Sequence, residues 1–336
     1  MWDDFWLVRG RGRAFNVVMS NRFGAVTSSG ARQSRREFIR QVGSAVALGA
    51  VMSPLGGGFA AEGRGGKQKT LVGSNIYGWG QYAQRDKKPL DPQEVMSALR
   101  DAGYDYLEGF MNLVQLEENA KFAEQLKAKG LQPVSIYTGA GLHEAAKAGQ
   151  AVAMILAAAK VCQQAGFQVI SCNAAPIGRE KTDEELKTQA AALSDLGKGL
   201  NALGLKLGVH HHMPEMANGA REFHYNFKHS KPGVVGFCYD VHWVWKGGVM
   251  PQDALKQYGN RVVTWHLRQG RDGVWWEDLD RGDVDYEAVA KYARKHKLPR
   301  RFTVELAIEP GTKITHSVVE NHRRSREFVR KVFEAG

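Results

Sequence analysis

Four short β-like runs in the second half of this chain each end on a residue type that binds metals. The runs cover residues 206–212, 234–242, 261–266 and 301–306. Their candidate ligands are His210 or His212, Asp240, His266 and Glu305. Two imidazoles with two carboxylates suit a divalent cation of borderline hardness. Side chains alternate along a strand, so His210 and His212 share one face and His211 takes the other. Asp240 directly follows an apolar run, where a carboxylate is costly to bury unless paired or metal-bound. It would also serve as a helix N-cap. Glu305 has the chemistry of a ligand, a general base, or both.

Neighbouring residues add polar and aromatic groups. His242 and Trp243 follow Asp240 and are placed to cover a sugar ring, and Arg268 offers a planar fork of donors on the same side as His266. Glu108 ends an earlier run and points the same way, either toward substrate or in support of a ligand histidine. Trp79 and Asn173, with Tyr77 and Tyr137, sit at other strand ends, where an aromatic ring is a sugar platform or rim packing.

Something must bring these ends together. Apolar runs expected as strands lie at 71–76, 104–109, 132–137, 167–172, 206–210, 234–239, 262–266 and 302–306. Amphipathic stretches separate them, several closed by Gly103, Gly130, Gly166, Gly204 or Gly259. Asp91-Pro92 opens one as an N-cap followed by Pro at the first helical position. The stretch 216–229 is the least regular. Eight alternating strand and helix signals imply parallel βαβ units closed into a (β/α)8 TIM barrel of one domain, residues 71–336. An open doubly wound sheet is disfavoured, because Ser74–Gly80 lacks the GxGxxG spacing. In a barrel, all four metal-ligand types project at the C-terminal mouth.

The first sixty residues read differently. Ser34-Arg35-Arg36-Glu37-Phe38-Ile39 resembles a twin-arginine export motif, and a Gly-, Ala- and Val-rich stretch (42–55) follows. Gly58-Phe59-Ala60 supplies small residues for a signal peptidase. Residues 1–60 are thus expected to be a signal peptide with an upstream extension, Met19 being a second candidate start, and 61–70 a linker. The expected partner is the twin-arginine machinery and the expected location the periplasm; an uncleaved leader would act as an anchor. Removing 1–60 takes eight Arg and three acidic residues from a net charge of +11 and leaves +6. That remainder is too diffuse to argue nucleic-acid binding. Cys162, Cys172 and Cys238 form no CxxC pair, and nothing in their spacing demands a disulfide.

Together these segments resemble the sugar phosphate isomerase/epimerase family, the xylose isomerase-like barrels. The resemblance spans roughly 71–329 and is clearest in Ala102-Gly103-Tyr104-Asp105-Tyr106-Leu107-Glu108, in Leu205–His212, in Tyr239-Asp240-Val241-His242-Trp243-Val244, in Pro251–His266 and in Asp280–Tyr286. It implies one divalent ion (Mn²⁺, Zn²⁺, Mg²⁺ or Co²⁺) on His210, Asp240, His266 and Glu305, and a carbohydrate substrate. It also implies isomerisation or epimerisation by proton abstraction beside a carbonyl that the metal polarises. The family commonly has Glu where this chain has His210. Two-base epimerisation would then need His212 or Glu215 as the second base. One base suffices for an elimination, so a lyase or hydrolase acting on 3-keto-glycosides is the runner-up, and a sugar-binding barrel without catalysis is a third reading. A trinuclear zinc nuclease on this barrel needs further histidines, where this chain has Trp243 and Asp283-Val284-Asp285. The sequence is compatible with a homo-oligomer.

Overall fold

The computed structural model describes residues 69–334. The export motif, its extension and nearly all of the expected linker lie outside the described residues.

Eight parallel strands close into a barrel: β1 (Leu71–Asn75), β2 (Tyr106–Phe110), β3 (Ser135–Ala140), β4 (Val169–Ala174), β5 (Lys206–His210), β6 (Gly236–Asp240), β7 (Val262–Leu267) and β10 (Arg301–Val304). The order around the ring is β1-β10-β7-β6-β5-β4-β3-β2, so each strand pairs with its neighbour in the chain and β10 closes on β1. Each of the eight expected strands is present, with ends displaced by up to three residues.

Between them run α1 (Ile76–Arg85), α2 (Pro92–Asp101), α3 (Glu117–Ala128), α4 (Ala145–Ala165), α5 (Asp183–Ala202), α6 (Ala217–Lys228), α7 (Val241–Lys246), α8 (Pro251–Tyr258), α9 (Tyr286–Lys295) and α10 (Val318–Glu334). Local chemistry sets their ends. The Asp91 side chain accepts the Gln93 N–H and Pro92 occupies the first turn of α2. Gly166 ends α4 with a φ of 105°, a backbone region that costs glycine least. The irregular stretch becomes α6, whose entry at Asn218, Gly219 and Ala220 is not helical.

Strand alternation separates two cores. Outward side chains such as Phe237, Trp265 and Phe302 pack against the helices, and Phe302 lies 4.3 Å from the Phe333 ring of α10. Each such fully buried large apolar side chain contributes about 1.5–3 kcal/mol. Inward side chains are unusually polar. Tyr106 Oη lies 2.8 Å from Thr303 Oγ1, and above that pair come Glu108, Ser135 and Ser171. A barrel interior this rich in hydrogen-bonding groups positions charged residues rather than merely filling space.

Helix α7, helix α1 and a short hairpin were not among the elements expected from the sequence. Helix α1 begins at once after β1, because Asn75 accepts the Tyr77 N–H at 2.7 Å and turns the chain. A two-residue hairpin, β8 (Gly270–Arg271) and β9 (Val274–Trp275), follows β7.

Candidate metal centre

His210 is the last residue of β5, Asp240 the last of β6, His266 lies near the end of β7 and Glu305 directly follows β10. Register brings them level: Asp240 pairs with His266, and His266 with Thr303, two residues before Glu305. One potential ligand atom from each of the four lies within 4.8 Å of the others.

His210 presents Nε2 to this cluster, 3.4 Å from Asp240 Oδ2, with no hydrogen-bond partner although buried. Its Nδ1 is 3.5 Å from the Tyr137 phenol. Burial, then the charge on His266, lowers its pKa to about 3, which keeps the ring neutral with a lone pair to offer. Asp240 divides its carboxylate. Oδ1 accepts the Trp243 N–H at 2.8 Å and caps α7, while Oδ2 faces the cluster. The capping and the cluster-facing roles are thus both served by one side chain.

His266 lies between two carboxylates. Nδ1 is 2.8 Å from Glu305 Oε2, and Nε2 is 2.8 Å from Glu108 Oε2. Burial disfavours its charge, but Cys238 and Glu108 beside it outweigh burial and hold its pKa well above the ordinary histidine value. Glu108 is fully buried and held on every side. Asn75 Nδ2 donates to Oε2 at 2.8 Å; Ser135 and Ser171 donate to Oε1 at 2.5 and 3.0 Å. Burial raises its pKa, yet His266 and these donors prevail and leave it below the usual value.

Glu305 Oε1 accepts from an Arg268 terminal nitrogen at 2.6 Å, and the same nitrogen is 3.2 Å from Asp240 Oδ2. Burial pushes the Glu305 carboxyl up, but Arg268 and His266 win and hold it far below the ordinary range. The guanidinium rests over Trp275, 4.5 Å from the ring centroid, with Trp243 at 5.4 Å.

The two indoles pack edge to face at 5.1 Å. His212 lies with its ring 4.5 Å from His210 and 6.0 Å from Trp243. His211 points outward among Phe223 and Phe227, as alternation requires. Asn173, level with His210 in the sheet, donates at 3.0 Å to Glu215 Oε1, while the His212 N–H bonds the other Glu215 oxygen at 2.8 Å.

Two expectations need correction. Trp79 is not at a strand end: it sits in α1, stacks on His322 of α10 at 4.3 Å and donates to Ser74 Oγ, outside the barrel. The early start of α1 at Asn75 carries it there. His242 has no accessible surface with which to cover a sugar; it packs beside Trp245 and against Gly270, where a Cβ would stand 2.5 Å from its Nε2. Trp275 was missing from the expected site, and Glu215 was expected only as an alternative second base. A signal for the first was present in Arg271-Asp272-Gly273-Val274: Asp-Gly is the residue pair of a tight hairpin, and both residues have positive φ here (53° and 79°).

The residues fit a divalent ion. Four donors about 2.1 Å from a common ion stand roughly 3–4 Å apart, close to the spread observed. The unpartnered, neutral His210 Nε2 is the donor such an ion would satisfy. A family model described as the xylose isomerase-like TIM barrel matches residues 96–332. This chain belongs to that family.

Among solved structures, a sugar phosphate isomerase/epimerase from Parabacteroides distasonis superposes with a TM-score of 0.64 at 19% identity, covering 79% of this chain and 94% of that one. A D-allulose 3-epimerase from Methylomonas sp. gives 0.63 at 14%, with 79% and 98% covered. A 3-keto-D-glucoside 4-epimerase from E. coli gives 0.57 at 16%, with 78% and 100% covered. At these identities the likeness is one of fold. An inosose dehydratase from Clostridium tetani is 30% identical over 117 residues, 34% of this chain and 39% of the relative. One from Salmonella typhimurium is 27% identical over 150 residues, 38% and 49% respectively. The matches thus cover half or less of these curated relatives.

Glu215 yields a prediction of its own. Burial, then the nearby Glu222, pushes its pKa up to about 7 against the His212 and Asn173 hydrogen bonds. A raised folded pKa stabilises the protein below the unfolded value, and that contribution is lost as pH rises through 7. Urea denaturation from pH 4 to 8 should show Glu215→Gln overtaking the wild type by about 3 kcal/mol at the upper end. A pH-independent difference between the two proteins would show that Glu215 does not bind its proton this tightly.

Proposed function

We propose that this chain is a divalent-metal-dependent enzyme that removes a proton beside a carbohydrate carbonyl, with elimination the outcome its side chains support best. The observation that carries this reading is the convergence of His210, Asp240, His266 and Glu305, with the buried His210 Nε2 making no hydrogen bond. Mn²⁺, Zn²⁺, Mg²⁺ or Co²⁺ suits the donor set, and when bound supplies a Lewis acid toward a substrate oxygen.

The protein's own groups do the rest. Glu305, ionised at neutral pH, takes the proton. Glu108 at His266 Nε2 fixes that ring so that Nδ1 faces the centre. Trp243 and Trp275 offer an aromatic wall to a sugar C–H face, and Arg268 offers donors to its hydroxyls. His210, where a second carboxylate would be needed for two-base epimerisation, favours one-base chemistry. The inosose dehydratases, named for a loss of water, support an elimination. Epimerisation is the second reading, favoured by His212, whose ring lies 4.5 Å from that of His210 and would serve as the other proton carrier. Export by the twin-arginine route remains part of the proposal, supported by residues 34–60.

The test is incubation of the Mn²⁺-loaded protein with 3-keto-glucosides and with free ketoses. Released aglycone without an epimer is expected. Epimer without aglycone would replace elimination by the second reading, and tight sugar binding with neither product would leave the non-catalytic barrel. Elemental analysis should find less than a tenth of the wild-type metal in His210→Ala; full occupancy in that variant would remove His210 from the ligand set.

A further inference from the structure

The carboxylates of the candidate centre already have a cation beside them. Arg268 reaches Glu305 Oε1 at 2.6 Å and Asp240 Oδ2 at 3.2 Å through one terminal nitrogen. Asp240 turns Oδ1 to the Trp243 N–H, so Oδ2 is the oxygen it presents to the cluster. The oxygen that faces His210 Nε2 is therefore the oxygen that Arg268 occupies. A divalent ion binding there would sit one hydrogen bond away from a buried guanidinium, at two of its four ligands.

This arginine is also built into place. Its head lies 4.5 Å from the Trp275 centroid and 5.4 Å from that of Trp243, and its backbone carbonyl accepts the Tyr286 hydroxyl at 2.5 Å. With only 2% of its surface exposed, it has little water to retreat into, and charge repulsion is poorly screened at such a site. A lysine would lack the planar face that rests over the two indoles.

We propose that Arg268 is a resident counter-cation of the metal centre, which competes with the ion for Asp240 and Glu305 and keeps metal binding weak and exchangeable. The inference rests on the metal-site reading above. It predicts a sign that an ordinary scaffolding role would reverse. If Arg268 only steadied the carboxylates, removing it would scatter them and weaken metal binding; if it competes for them, removing it tightens binding.

Isothermal titration of Mn²⁺ into the chelator-treated full chain distinguishes the two. Arg268→Met is expected to bind Mn²⁺ at least tenfold more tightly than the wild type, with Arg268→Lys between them. Without added metal, Arg268→Met should melt at a lower temperature than the wild type, and it should gain more from saturating Mn²⁺. If Arg268→Met folds only in the presence of Mn²⁺, competition against a fluorescent chelator reads the same constant. Equal or weaker Mn²⁺ binding by the folded Met variant overturns the competition and leaves the metal site standing. No Mn²⁺ binding by the wild type overturns both.

Discussion

Glu305→Gln should lower kcat of the metal-loaded protein by about a thousandfold, within the range a positioned general base supplies. Of the four candidate ligands, His210, Asp240 and His266 are 0–1% exposed, whereas Glu305 keeps 7% of its surface open, so it is the carboxylate that a substrate can touch. Its protonation state follows from its neighbours: Arg268 at 2.6 Å and His266 at 2.8 Å overcome burial and keep the carboxylate ionised at neutral pH. Gln matches its shape and retains an oxygen for Arg268 or His266, but cannot take a proton. The defect should therefore fall on kcat, with KM changed little. Asp240→Asn provides the contrast. It alters a ligand with no accessible surface, so its loss of activity should track lost metal and recover in part at high Mn²⁺. A Glu305→Gln enzyme retaining more than a tenth of wild-type kcat would move the base to His212 or Glu215.

The sequence revealed the candidate ligands because barrel geometry turns strand ends into neighbours. A polar residue that closes an apolar run must lie at the mouth, and four such runs in order place four residues there. His211 and His210 were separable by alternation alone. Arg268 was visible as a same-face neighbour of His266, but not as the bridge between Asp240 and Glu305, because that contact spans β6, β7 and β10. Trp275 depends on a two-residue hairpin folding back over the mouth, and pattern reading gives so short an element little weight. Trp79 misled because an aromatic shortly after a strand reads as rim, until Asn75 is seen to cap α1 and bury the indole against α10. Glu215 offered no periodic signal. Its environment is made by Asn173 on another strand and by the His212 backbone.

Glu108→Gln should be the most destabilising substitution near the centre, costing about 3–5 kcal/mol in urea denaturation, because it breaks a buried ion pair from one side. Glu108 lies within the barrel with no accessible surface and meets Asn75, Ser135, Ser171 and His266. Of these, Asn75, Ser135 and Ser171 donate to it. Gln replaces one acceptor oxygen by an NH₂, which faces existing donors, and removes the negative charge beside His266 Nε2. Because Glu108 has a lowered folded pKa, its stabilisation is present above the unfolded glutamate pKa and fades as pH falls through the folded one. The gap between wild type and Glu108→Gln should therefore be wide at pH 7 and narrow on acidification. The same variant should bind Mn²⁺ roughly 10–100-fold more weakly, the usual effect of losing the carboxylate behind a metal-ligating histidine. A stable variant with wild-type Mn²⁺ affinity would mean that His266 keeps its orientation without Glu108, and that the polar interior of the barrel serves packing rather than the centre above it.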